Sequence, residues 1–168
     1  MTIPVPLCGN LTAGGKTTMP IIIDNRQKKI SVDRRRVRRA MSRIMKYLDC
    51  SDKAISLLFV DNKEIKEINR RYLNRDYPTN VLAFSLATGE YGNINPDILG
   101  DIVISVDTAY KDAVESGIEF NDELIFLMIH GVLHLLNYDH ENASHKKTQQ
   151  MKKKEQELFY MLKGYEIQ

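Results

Sequence analysis

The chain of 168 residues is 43% apolar and 27% charged, which is typical of a soluble globular domain long enough to bury a core. Its two cysteines lie outside any CxxC pair, no apolar run reaches the roughly 18 residues of a membrane span, and the N-terminus lacks a signal-peptide pattern. These features argue against a disulfide scaffold and a membrane protein, and we expect a cytoplasmic location. The net charge of +2 conceals +8 in residues 1–50 and −6 in the remainder, so the first part of the chain can attract a polyanion.

The predicted elements follow residues 1–18, a stretch rich in Gly, Thr and Pro that we interpret as a flexible N-terminal extension of a single domain over 19–168. Runs of β-branched and aliphatic residues predict about four strands, which lie near 21–23, 55–60, 81–86 and 101–105. Apolar residues at helical spacing predict about five helices, which begin near 33, 61, 107, 121 and 143. Asp33 is the expected N-cap of the first helix, and Asp61 or Asn62 that of the second.

The helix that begins near residue 121 is apolar almost all round from Leu124 to Leu136, so we expect it to be the central buried helix. Asn121, Asp122 and Glu123 are expected to open it, because acidic groups are favoured at the positive end of the helix dipole. Strands and helices mix without regular alternation, which predicts an α+β fold with a small mixed sheet packed against the helices.

Three histidines cluster at the end of this central helix, in the stretch HGVLHLLNYDH. His130 and His134 are four residues apart, so they lie one turn apart on one face and can chelate one ion. Asn137 tolerates the left-handed conformation that ends a helix, which would allow His140 to return to the same ion. Three imidazoles leave a fourth tetrahedral position open, as in catalytic zinc sites, so we predict one zinc ion per chain held by this helix and the following turn.

The residue after the first histidine is Gly131, where a zinc protease carries the glutamate that serves as its base. Without a nearby general base, peptide hydrolysis is expected to lose about 10²–10⁴-fold in rate, which disfavours a protease. A zinc hydroxide is still a usable nucleophile or base, and phosphodiester cleavage can run on it together with a cationic group for the phosphate; in RNA the 2′-OH can itself attack. Asp139, beside the third histidine, either holds a ring N–H of a ligand or serves only as a turn residue.

Several blocks of the sequence resemble the YbeY endoribonucleases, the bacterial rRNA maturation factors. The histidine block is similar to the signature HGxLHLxGYDH, with Asn137 in place of a glycine. Residues 69–84 (NRRYLNRDYPTNVLAF) are similar to the family's N-x-x-Y-R-x-x-D-x-P-T-D/N-V-L-S-F, and residues 99–104 (LGDIVI) to one of its strands. Residues 162–165 (LKGY) are similar to its LGY ending, so the resemblance covers about 20–168.

The resemblance implies a single-strand-specific, metal-dependent endoribonuclease, a hydrolase that matures the 3′ end of small-subunit (16S) rRNA and supports ribosome quality control. Its partners would be single-stranded rRNA and the small ribosomal subunit. The family's three zinc ligands map onto His130, His134 and His140. Two alternatives stay open: a metalloprotease-like zinc hydrolase, and a noncatalytic ribosome-assembly factor whose zinc is structural.

One departure from the family concerns the group that would contact the phosphate. Leu73 stands where many family members have an arginine after the tyrosine, a residue linked to catalysis in the family. Arg71 or Arg75 can contact the same phosphate from the neighbouring segment. Both are equally well interpreted as solvated surface arginines.

The first predicted helix carries a run of arginines outside its apolar stripe. Arg35, Arg39 and Arg43 are therefore candidate contacts to an RNA backbone, which would make binding salt-dependent but not sequence-specific. The alternative is that these charges form only a solvated face.

Overall fold

A four-stranded mixed sheet runs through the chain, which a computed structural model describes over residues 20–86, 96–138 and 145–166, without the side chains of 145–147. The strands are β1 (Ile21–Asn25), β2 (Ala54–Val60), β3 (Val81–Ser85) and β4 (Ile98–Ser105). The helices are α1 (Arg34–Tyr47), α2 (Asn62–Leu73), α3 (Val106–Ser116), α4 (Phe120–Leu135) and α5 (His145–Lys163). The predicted single-domain α+β fold is confirmed, whereas the expected extension over 1–18 lies outside the described residues.

The strand order is β1-β2-β4-β3, with β1, β2 and β4 parallel and β3 antiparallel at one edge. Every residue of β2 is buried, as its continuous apolar run predicts for a strand covered on both faces. β4 begins at Ile98, three residues earlier than predicted, because its first residues already pair with β2.

The two faces of the sheet carry different parts of the core. Leu57 and Phe59 of β2 and Ile102 and Ile104 of β4 belong to the larger cluster, which they form with α1, α3, α4 and α5. The opposite face of the sheet carries a smaller apolar cluster that packs against α2. The strand residues of this cluster are Leu58, Val60, Leu82 and Val103. The side-chain alternation of the strands therefore places four helices on one face and one on the other.

Two of the helix starts follow the predicted capping residues. The Asp33 carboxylate accepts hydrogen bonds from the backbone N–H groups of Arg35 and Arg36. The Asp61 carboxylate accepts one from the backbone N–H of Glu64. The start of α4 differs from the prediction. It begins at Phe120, because the Asp122 and Glu123 N–H groups donate to the carbonyl of Glu119, whose own side chain makes no capping bond.

α4 is the central helix, as predicted, and it approaches the sheet most closely at Gly131. A Cβ atom at that position would lie 2.8 Å from Cδ1 and 2.9 Å from Cγ2 of Ile102, which is itself fully buried on β4. Gly131 therefore faces the sheet, and the absent side chain is what allows α4 to lie against β4. Among the described helices, none is long and apolar enough to cross a membrane.

Replacing Gly131 with alanine is expected to destabilise the fold. Overpacking a filled core costs about 1–3 kcal/mol, which exceeds the gain of about 1 kcal/mol in helix propensity. Urea unfolding of the metal-free protein should show a net loss of about 1 kcal/mol in the free energy of unfolding. In an Ile102→Ala background the same substitution should cost less, because the clashing atoms are gone. An equal cost in both backgrounds would contradict the proposed contact.

Candidate metal centre

His130 and His134 meet on one side of α4, as their spacing predicts. The Nε2 atoms of the two rings are 2.9 Å apart, and the ring planes are inclined by 69° with their centroids 4.5 Å apart. The His130 side chain is about one-third exposed, at 35%. The pair therefore presents two ring nitrogens to a common point at a partly open surface.

The chain leaves α4 directly after these two residues through a left-handed turn. Asn137 has a φ of 61°, its N–H donates to the carbonyl of His134, and that of Tyr138 donates to the carbonyl of Leu133. This pair of hydrogen bonds is the Schellman motif, in which a left-handed residue closes a helix and satisfies its last carbonyls. The predicted role of Asn137 in ending the helix is confirmed. His140 and Asp139, predicted as the third ligand and its neighbour, lie outside the described residues.

Glu155 of α5 fixes the orientation of the first histidine. Its Oε1 atom is 2.6 Å from Nδ1 of His130, and Glu155 is only 7% exposed. A carboxylate that accepts the Nδ1–H leaves the Nε2 lone pair of His130 free to face His134. Carboxylates commonly hold metal-binding histidines in this way, and they also raise the basicity of the ligand nitrogen.

The two histidines fit a shared zinc ion. Bonds of about 2.0 Å at a tetrahedral angle would separate two ligand nitrogens by about 3.3 Å, close to the 2.9 Å between these Nε2 atoms. The ring tautomer set by Glu155 is the one that such binding requires. The donor set of neutral imidazoles is also one that zinc prefers.

The two arginines that the sequence assigns to the phosphate lie in the last turn of α2 and just after its end. Arg71 and Arg75 are exposed, and the Arg71 guanidinium lies 5.7 Å from the centroid of the Tyr72 ring. The segment after α2 is held by the buried Asn69, whose side-chain amide donates to the carbonyl of Tyr77 at 2.8 Å. Leu73, the departure from the family, is the last residue of α2 and is 40% exposed. The catalytic role of the two arginines stays a prediction.

The three predicted RNA contacts on α1 differ in their surroundings. Arg35 and Arg39 are exposed, and Arg39 lines a cavity between α1, α4 and the end of α5 that Arg43 also lines. Arg43 is held in place by two hydrogen bonds, which its guanidinium donates to the carbonyls of Met161 and Leu162 at 3.2 and 3.4 Å. Arg35 is not among the residues that line this cavity.

Two buried carboxyl groups have perturbed pKa values. Burial, together with the nearby Asp112, raises the pKa of Glu123 in the first turn of α4 to about 7. Burial also raises the pKa of Asp101 on β4, although a hydrogen bond from Ser56 partly opposes this. Both groups therefore resist ionisation, which follows from the cost of placing a charge away from water.

The chain matches a family model over residues 22–163, and that model describes endoribonuclease YbeY. It belongs to this family. The match spans α1 to α5, including both described histidines, so the family assigned from the sequence blocks is confirmed.

Curated members of the family are similar along nearly their whole length. Endoribonuclease YbeY of Syntrophus aciditrophicus is 55% identical over 152 residues, which are 90% of this chain and 95% of the relative. That of Geobacter sulfurreducens is 41% identical, over 87% of this chain and 97% of the relative. A protein of Thermotoga maritima solved in solution shares the fold with a TM-score of 0.57 at 24% identity, covering 86% of this chain and 93% of its own.

Glu155 is the residue of this centre that the sequence reading missed. It lies between Met151 and Leu158 on the buried stripe of α5, together with Phe159. A lone carboxylate on an apolar helical stripe is a signal of a buried partner, because an unpaired charge there is costly. The identity of that partner depends on the packing of α5 on α4, which the local sequence does not contain.

Replacing Glu155 with glutamine is expected to weaken zinc binding about 10–100-fold, since outer carboxylates contribute this much to metal affinity. The measurement is a competition titration of the metal-free protein against a chelator of known affinity. Glu157→Gln is the matched control, because Glu157 lies on the same helix but pairs with Tyr47 and Lys154. Equal affinities for the two variants would contradict the role of Glu155.

Proposed function

We propose that the chain is a cytoplasmic, zinc-dependent endoribonuclease that cleaves single-stranded RNA and matures the 3′ end of 16S rRNA on the small ribosomal subunit, with a part in ribosome quality control. The observation that carries the proposal is the facing pair of His130 and His134 ring nitrogens on α4 of a YbeY-family chain. The names of the relatives add support, since each is described as an endoribonuclease.

His130, His134 and His140 would hold one zinc ion, with Glu155 orienting the first of them. Zinc supplies Lewis acidity toward a phosphoryl oxygen and toward water. The chain's own contribution is to orient the imidazoles. The carboxylate of Glu155 does this for His130 by accepting the Nδ1–H, so that Nε2 is the nitrogen that faces His134.

The packing at Gly131 supports RNA rather than peptide as the substrate. A glutamate at this position would enter the space of Ile102, so the base of a zinc protease has no room here. Cleavage of a peptide bond needs such a group to move a proton to the leaving amine. An RNA strand brings its own nucleophile: the 2′-oxygen bonds to phosphorus, the bond to the 5′-oxygen breaks, and water can take the 2′-OH proton and protonate the leaving 5′-oxygen. The protein then has to stabilise the charge on the phosphate.

Arg71 and Arg75 are the proposed source of that stabilisation. Both are exposed and flank Leu73 in a segment held by Asn69. An arginine can donate two parallel hydrogen bonds to phosphate oxygens, so one such residue is sufficient to bind the scissile group.

The experiment that tests the function is incubation of the purified protein with a labelled single-stranded fragment of the 16S rRNA 3′ region and, separately, with casein. We expect cleavage of the RNA, loss of cleavage with a chelator, and no cleavage of casein. His134→Ala should abolish both RNA cleavage and stoichiometric zinc, because it removes one of the two facing nitrogens. Cleavage of casein alone would indicate a protease. Cleavage of neither substrate, with a chelator lowering the Tm, would indicate a structural zinc.

Restoring the family arginine at residue 73 is expected to increase RNA cleavage. Leu73 is 40% exposed, so Leu73→Arg adds a cation without burying it, and a charge-assisted hydrogen bond to phosphate contributes about 1.5–3 kcal/mol. The increase in kcat/KM should be about tenfold or more. Leu73→Gln is the control for the loss of the apolar side chain. If the arginine and glutamine variants cleave RNA at the same rate, residue 73 does not contact the phosphate.

A further inference from the structure

A cavity lined by basic residues lies toward the opposite end of α4 from His130 and His134. Here residues of α1, of the first turns of α4 and of the end of α5 line the cavity, which has a volume of about 220 Å³ and is open to solvent. Its lining has a cationic part and an apolar part. The cationic part consists of Arg36, Arg39, Arg43 and Lys163, and the apolar part of Ala40, Ile125 and Leu162.

The protein holds three of these four cations in place. The buried carboxylate of Asp122, 3% exposed, pairs with Lys163 at 2.6 Å and with Arg36 at 3.7 Å. Arg43 donates to two carbonyls at the end of α5, which leaves other N–H groups of its guanidinium for a ligand. Cations that are already ordered lose less side-chain entropy when an anion binds.

The site keeps a positive charge despite its acidic neighbours. Asp122 and Glu119 are the carboxylates at the start of α4 that act on this region, both of them on Tyr165 of the C-terminal turn. Asp33 at the start of α1 also acts on Arg39, so against four lining cations the three carboxylates leave one positive charge uncompensated. Arg39 is exposed at the mouth of the cavity, and its guanidinium is therefore available to an approaching anion.

We propose that this cavity binds one nucleotide of the single-stranded RNA, with its phosphate among Arg36, Arg39 and Arg43 and its base or ribose against the apolar lining. Arginine suits both parts of such a ligand, because it grips phosphate with paired donors and stacks on a base through its plane. The inference rests on the proposed endoribonuclease function and extends it with a contact remote from the cleaved bond. Ile125, the residue of α4 that lines the cavity, precedes His130 by five positions, which corresponds to about 7.5 Å along the helix axis and about 140° around it.

The test measures binding of a short labelled oligouridylate by fluorescence anisotropy, on metal-free protein so that no cleavage occurs. Arg39→Gln should weaken binding about tenfold and lower the slope of log K against log salt by about 0.7. The matched control is Arg34→Gln, an exposed residue of the same helix that does not line the cavity, and its affinity should change less than twofold. Equal losses in both variants would overturn the site in favour of a diffuse electrostatic attraction.

The location and the ligand class have their own readouts. Photocross-linking of 4-thiouridine RNA should label peptides that contain residues 36–43 or 161–163, and labelling found only elsewhere would overturn the proposal. Uridine monophosphate should compete for the site more strongly than inorganic phosphate. Equal competition would remove the role of the apolar lining. Binding of phosphatidylserine vesicles that depends on Arg39, without RNA binding, would assign the cavity to a lipid headgroup.

The cleavage assay separates this inference from the function on which it rests. In that assay Arg39→Gln should raise KM and leave kcat within twofold, because the cavity holds the strand away from the reacting bond. RNA cleavage with identical KM values for Arg39→Gln and Arg34→Gln would overturn the cavity alone. Binding that depends on Arg39 in a protein that cleaves no RNA would overturn the proposed activity alone.

Discussion

The contact between Gly131 and Ile102 is the constraint on which the rest of the structure depends. It brings the backbone of α4 against β4, in the middle of the larger core cluster. Gly100 serves a different close approach. A Cβ there would lie 2.3 Å from the carbonyl oxygen of Phe84 on the neighbouring strand β3 and 2.9 Å from Cδ2 of Leu135 on α4. Gly131 therefore sets the depth of α4 against the sheet, and Gly100 allows β3 to pair closely with β4.

The packing of α5 on α4 then determines the chemistry at both ends of α4. The two helices run antiparallel, so Glu155 meets His130 while Lys163 meets Asp122. Each contact joins a buried carboxylate to a group that can carry positive charge, and neither carboxylate is stable at such depth without its partner. The same packing therefore orients a histidine at one end and orders the basic cavity at the other.

Local signals in the sequence were sufficient for most of the fold but not for the whole site. The caps at Asp33 and Asp61, the buried strand β2 and the left-handed Asn137 each depend on a few neighbouring residues, and all were predicted. Glu155 was not predicted, because its partner is 25 residues away on another helix. The cavity beside Arg39 was missed for the same reason, since it exists only where three helices meet. The spacing of residues within one helix can be predicted from the sequence, whereas contacts between helices depend on how the helices pack in the folded chain.

The placement of the two sites on α4 has an electrostatic consequence. A zinc ion and a cluster of arginines at close range would repel one another and lower the affinity of both sites for their ligands. Ile125, which lines the cavity, and His130 lie about 140° apart around α4, so the two sites face different sides of the helix and the repulsion between them is reduced. With the proposed zinc ion and the proposed nucleotide site, an RNA strand that reaches both would be attracted by each. A contact to the strand on another side of α4 would therefore add affinity with little effect on the residues proposed to hold the ion.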